Sequence, residues 1–202
     1  LAARPPIQLQ GLASEALAHL ARESGDTAFA IIPSGMDSVC LDRQEGSYPV
    51  KALMMNIGRR RPLGIGAGSL ALLSAMPEAR AEQILDHNAV RIRQQGETDA
   101  RHLRSVVAQG RADGFVARAP VDSPEILSLG VAVLNPYGTP VMSLSISALK
   151  FRIEPRLDEL VALLRKRQVP TVAFTNGTTK TPAELSKALC AIGIEFASFY
   201  RT

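Results

Sequence analysis

The chain of 202 residues is 46% hydrophobic with a formal net charge of +4, enough apolar mass for one well-packed domain. It has no apolar run of about 18 residues and no charged-then-apolar leader, so neither a membrane span nor a signal peptide is expected, and a cytoplasmic location follows by default. The basic residues do not gather in one block, and with aromatics at 4% and no Trp there is no stacking platform for single strands, so direct nucleic-acid contact by this chain is not expected.

Leu9, Leu12, Ala13, Ala16, Leu17 and Leu20 recur at helical spacing and predict an amphipathic opening helix ending near Gly25. Short apolar runs at 27–32 and 38–41, separated by Pro33-Ser34-Gly35, predict a β-hairpin, and residues 49–55 a third strand. Three helices follow, at 68–75, 78–94 and 99–112, the last capped by Thr98 or Asp99. Strands are then expected at 114–118, 126–134 and 141–149, the last two joined by a turn at Asn135-Pro136-Tyr137-Gly138. Pro155, ahead of Leu157, Leu160, Val161 and Leu164, marks another amphipathic helix, with Arg165-Lys166-Arg167 placed to complement its dipole.

Beyond it come a predicted strand at 170–174, a loop at 176–180, a helix to about Ala191 opened by the capping box Thr181-Pro182-Ala183-Glu184, and a strand at 194–200. Hairpin-joined strands imply an antiparallel sheet whose faces the helices must cover, so the fold class is α+β.

Two segments carry chemistry. The stretch from Gly58 to Leu73 runs from Arg59-Arg60-Arg61 through Gly64, Gly66 and Gly68 into an apolar helix. Its glycines allow close approach of a guest, and the unpaired amides at the helix start suit a carboxylate or phosphate. A Gly-rich turn also serves merely to bring a loop close to a sheet. In Ser143-Leu144-Ser145-Ile146-Ser147 the period of two puts three hydroxyls on one face, which suits a small polar ligand and equally suits a half-exposed strand.

Cys40 and Cys190 lack metal or CxxC spacing and read as buried thiols. His19, His87 and His102 all fall in helical patterns, and with no GxSxG elbow there is no candidate base for a serine, so no enzyme activity is expected.

Gly-x-Arg-x-Pro-Leu at Gly58 to Leu63, the small-residue loop with Ala71-Leu72-Leu73, Gly114-Phe115, and Val141-Met142 leading into the serine strand resemble, in this order and spacing, the effector-binding domain of the IclR family of bacterial transcriptional regulators. The resemblance covers roughly residues 9 to 167. It implies a GAF-like fold, a curved antiparallel sheet of about six strands flanked by helices around a small-molecule pocket. It makes residues 1–167 that domain and leaves 168–202 as an extension of unassigned role.

By the same resemblance the family's winged helix-turn-helix DNA-binding domain would precede Leu1, so that DNA is contacted only through that domain, and the regulator works as a dimer or tetramer. Its pocket falls on the amides of Ala67 and Gly68 with Ser69 beside them, the hydroxyls of Ser128, Ser145 and Ser147, and the apolar wall positions Val50 and Leu53.

This sequence departs from the family pattern at two points. Where the family often has acidic residues after Gly-Phe, Arg118 and Ala119 stand here. An arginine can grip a carboxylate in a bidentate fork, so the expected effector is a small carboxylate held by Arg118 and the loop amides; the alternative places Arg118 in solvent at a strand end. Gly64 stands where a histidine is frequent, and no metal or other cofactor is expected. Competing functions are a stand-alone GAF-like sensor acting through a protein partner and a small hydrolase-type enzyme.

Overall fold

The computed structural model describes residues 7–96 and 100–166. The chain order is α1 (Ile7–Ser24), β1 (Thr27–Ser34), β2 (Asp37–Gln44), β3 (Arg60–Pro62), α2 (Ala67–Ala75), α3 (Glu78–Gln94), α4 (Ala100–Asp113), β4 (Val116–Arg118), β5 (Ile126–Leu134), β6 (Pro140–Leu149), a single turn α5 (Lys150–Ile153), a 3-10 turn (Glu154–Arg156) and α6 (Leu157–Lys166). The six strands form one curled antiparallel sheet in the order β3-β2-β1-β6-β5-β4. The predicted elements beyond residue 166, with Cys190, Thr98 and Asp99, lie outside the described residues.

Alternation along the strands sorts side chains onto two faces, each with its own core. On one face Ala28 and Ala30 of β1, Leu129, Val131 and Val133 of β5, and Leu144, Ile146 and Ala148 of β6 pack with Leu17 and Leu20 of α1 and Leu160 and Leu164 of α6. On the other, Phe29, Ile31 and Val116 meet α2, α3 and α4 through Leu70, Leu73, Leu85, Ile92 and Leu103. Helix α2 is buried from Ala67 to Ser74. This explains its uniformly apolar sequence: it lies on the sheet under α3 and α4, with no side turned to water.

Two polar clusters tie the layers together. Asp26, between α1 and β1, has a side chain only 1% exposed and receives Arg152 Nε at 2.8 Å, with Arg156 Nη1 at 3.8 Å. Arg152 in turn stacks on Tyr48, 3.6 Å from the ring centre. Asn88 of α3 is fully buried and donates to the carbonyls of Met36 (2.6 Å) and Leu63 (3.1 Å), pinning α3 to the β1–β2 turn and to the approach to α2.

One predicted strand is not there. Residues 49–57 run as an irregular connection, and the third strand is Arg60–Pro62, within the arginine run. It pairs with Asp37–Val39 of β2, and the amide of Cys40 donates to the carbonyl of Arg59 at 3.0 Å just beyond the ladder. The connection is held by side chains instead of a ladder: Arg61 Nη2 donates to the Met54 carbonyl at 3.0 Å, Arg43 Nη1 to Asn56 Oδ1 at 3.2 Å, and Lys51 Nζ to the Gly46 carbonyl.

Candidate functional site

The register of the sheet builds the site. Thr27 of β1, Ser147 of β6, Ser128 of β5 and Arg118 of β4 are successive Cα partners, and so form one cross-strand row on the α2 face. The next row holds Phe29, Ser145, Gly130 and Val116. Within the first row the hydroxyls of Ser128 and Ser147 lie 2.7 Å apart and hydrogen bond to each other. Ser143 and Thr27 are fully buried, and their hydroxyls make no hydrogen bond among the described residues.

Gly130 is where α2 lands. A Cβ there would lie 2.7 Å from the carbonyl oxygen of Ala67 and 2.9 Å from the amide nitrogen of Gly68, so only glycine admits the first turn of the helix this close to β5. Gly68 faces β6 in the same way, its missing Cβ 3.0 Å from Ser143 Oγ and 3.3 Å from Ser145 Oγ. The residue before the helix, Gly66, has φ 82 and offers no side-chain cap. The glycine-rich loop therefore seats a helix start directly over the serine strand, its leading amides uncapped by any side chain.

Between this helix start and the sheet opens a hollow of about 420 Å3 counting its mouth, lined by Gly66, Ala67, Gly68 and Ser69 above and by Ser128, Ser145 and Ser147 below, with Phe29 and Ile31 between. Ser38, Met54, Met55, Arg61 and Ile65 complete the wall. A second hollow of about 560 Å3 lies at the other end of α2, lined by Ala71, Ser74, Ala75, Ala132, Leu134 and parts of α4, and lacks the convergence of hydroxyls and helix amides.

Of the predicted site residues, Ala67, Gly68, Ser69, Ser128, Ser145 and Ser147 come together here. The hydroxyl of Ser69 is committed to the loop, accepting the Gly64 amide at 2.8 Å, so this residue faces the hollow with its backbone. Val50 and Leu53 do not form the wall: they are 53% and 50% exposed, because the segment that carries them is not a strand and its alternation has no meaning. Met54 and Met55 take that place.

Arg118 is 9% exposed and paired with Ser128, so it is buried behind the hydroxyl pair and not turned to solvent, yet it is not among the lining residues. The charged wall residue is Arg61, which sequence reasoning passed over.

None of the three histidines lines the hollow. Among the described residues no group of three or more His, Cys, Asp or Glu is placed to hold a metal ion, and no helix is long and apolar enough to cross a membrane. Cys40 is buried on β2, and that burial, together with the nearby Asp42 charge and partly offset by Arg43, pushes its thiol up to about 11.

The curled six-stranded antiparallel sheet flanked by helices matches the fold of solved bacterial transcriptional regulators. The crystal structure of the Thermotoga maritima IclR superposes with a TM-score of 0.71 at 20% identity, covering 83% of this chain and 68% of that one. An IclR transcriptional regulator from Alicyclobacillus acidocaldarius gives 0.68 at 17% identity, over 83% and 72%. A C-terminal domain from Vibrio cholerae, described as that of a transcriptional regulator, gives 0.66 at 20% identity, over 82% and 97%. Among curated proteins no sequence relative matches.

The model of the family described as bacterial transcriptional regulator IclR C-terminal matches residues 6–170. This chain belongs to the IclR family and carries its C-terminal, effector-binding domain. Its relatives are regulators of transcription, not enzymes.

Proposed function

We propose that this domain senses a small carboxylate in the hollow beneath α2 and passes its occupancy to an attached DNA-binding domain through rearrangement of an oligomer. The observation that carries this reading is the start of α2, uncapped by any side chain, over a floor of serine hydroxyls. Uncapped helix amides and the positive end of the helix dipole favour an anion. The carboxylate rests on the amides of Ala67 and Gly68, Ser145 and the Ser128–Ser147 pair orient the rest of the molecule, and Arg118, one strand behind that pair, adds positive charge to the same end.

Regulation is a population shift: the effector binds one arrangement of the domain or of its oligomer more tightly than another. A coupling of roughly 1–3 kcal/mol is typical of such systems. The regulator meets DNA through its N-terminal domain and acts as a dimer or tetramer.

The test is a thermal-shift screen of aliphatic, keto and aromatic carboxylic acids on the wild type and on Arg118→Ala. A rise in melting temperature with one acid that is lost in the variant is the expected result. A flat response to every acid refutes the carboxylate reading. An undiminished rise in the variant removes Arg118 from the site.

A further inference from the structure

Among the described residues the hollow is lined by no Asp or Glu and by one charged side chain, Arg61. It sits on β3 with its Cα opposite Ser38, whose hydroxyl donates to the Arg61 carbonyl at 3.3 Å. The guanidinium reaches across to the Met54 carbonyl at 3.0 Å, and Met54 and Met55 line the hollow with it.

In the strand order β3-β2-β1-β6-β5-β4, Arg61 lies three strands from the serines of β6 and five from Arg118. At ~4.8 Å per strand the backbones are separated by about 14 and 24 Å before curl and side-chain reach are taken off. One carboxylate cannot touch both ends. A molecule with its first carboxylate on the α2 amides and the serines presents its far end to Arg61, and the planar guanidinium fork matches a second carboxylate better than a hydroxyl or an apolar tail.

We infer that Arg61 is a second anion anchor, and that the effector is a short-chain dicarboxylate bridging the start of α2 and β3. This rests on the effector reading above and deepens it. Arg61 thereby sets specificity: it rewards the second charge and is indifferent to the first. Its bond to Met54 also means that the same side chain that meets the ligand holds the wall of the hollow.

The test measures affinities of length-matched pairs by calorimetry, glutarate against pentanoate and adipate against hexanoate, on the full chain as wild type, Arg61→Gln and Arg61→Lys. The expected result is that the better diacid binds the wild type at least ten-fold more tightly than its matched monoacid. In Arg61→Gln the diacid-to-monoacid ratio falls within two-fold whatever happens to the monoacid affinity itself, and Arg61→Lys is intermediate. If the ten-fold ratio persists in Arg61→Gln, or the wild type never prefers diacids, Arg61 is no anchor and the effector reading stands without it. If no acid of either kind binds the wild type, the effector reading fails and this inference falls with it. Circular dichroism checks each variant, and should Arg61→Gln fail to fold, an Arg61→Lys ratio equal to that of the wild type overturns the anchor.

Discussion

Gly130→Ala tests the seating of α2 with one methyl group. The new Cβ would stand 2.7 Å from the Ala67 carbonyl oxygen and 2.8 Å from its carbon, about 0.7 Å short of the 3.4 Å at which ordinary contact begins. All of these atoms are backbone, so no rotamer change relieves the clash. The helix must lift, yet it is buried from Ala67 to Ser74 between the sheet and two other helices. Overpacking of this kind costs about 1–3 kcal/mol. The gain from removing a strand glycine, roughly 0.5–1 kcal/mol, offsets part of it. The expected net loss is ~1 kcal/mol, about 2–4 °C in melting temperature at this chain length. Gly11→Ala is the control: in α1 nothing lies within 4 Å of the added methyl, so the variant should gain about 1 kcal/mol from helix propensity. Thermal and urea melts read both, and the acid-induced shift should vanish in Gly130→Ala because the leading amides of α2 have moved. A Gly130→Ala protein that melts within a degree of wild type and responds to acid unchanged would refute the close seating of α2 on β5.

Asp26→Ala leaves Arg152 and Arg156 facing each other across a vacated buried site, and should lower stability by about 2–3 kcal/mol in urea melts, toward the low end for a broken buried pair because both arginines keep some solvent access; a loss under about 0.5 kcal/mol would show that Tyr48 stacking, not the ion pair, holds this corner. Cys40 should resist thiol reagents at pH 8 in the folded protein, where roughly one thiol in a thousand is ionised given a value of about 11, and react readily in urea. Peptide-level mass spectrometry reads the labelling. Native reactivity should climb as pH rises toward 11, and labelling of Cys40 at equal rates in buffer and in urea would contradict its burial.

Most of the fold was legible because long periodic segments carry their own signal. The helical spacing of Leu12 to Leu20 and the period-two strand around Ser145 both landed on the elements they predicted. What failed did so for physical reasons. Residues 49–55 are apolar enough for a strand, but apolarity there serves a wall of methionines and an exposed Val50 and Leu53, not a ladder. Three adjacent arginines look alike in sequence, and only pairing with β2 separates them: Arg60 turns to Asp37 and Ser34, while Arg61 turns to Met54 and the hollow. The serines and the glycine loop were readable as a candidate site, and come together around one hollow, because both patterns are local. Gly130 was not, because its necessity comes from a helix about 60 residues earlier in the chain.

Strand β6 is a partition with two tenants. Ser143, Ser145 and Ser147 face the α2 side, while Leu144, Ile146 and Ala148, one residue away each, are embedded among the side chains of α1 and α6. Nothing thicker than a single peptide plane separates the hydroxyls from the opposite core. Any displacement of Ser145 is therefore carried directly to Leu144 and Ile146, and from them to the side chains of α1 and α6 that share their core.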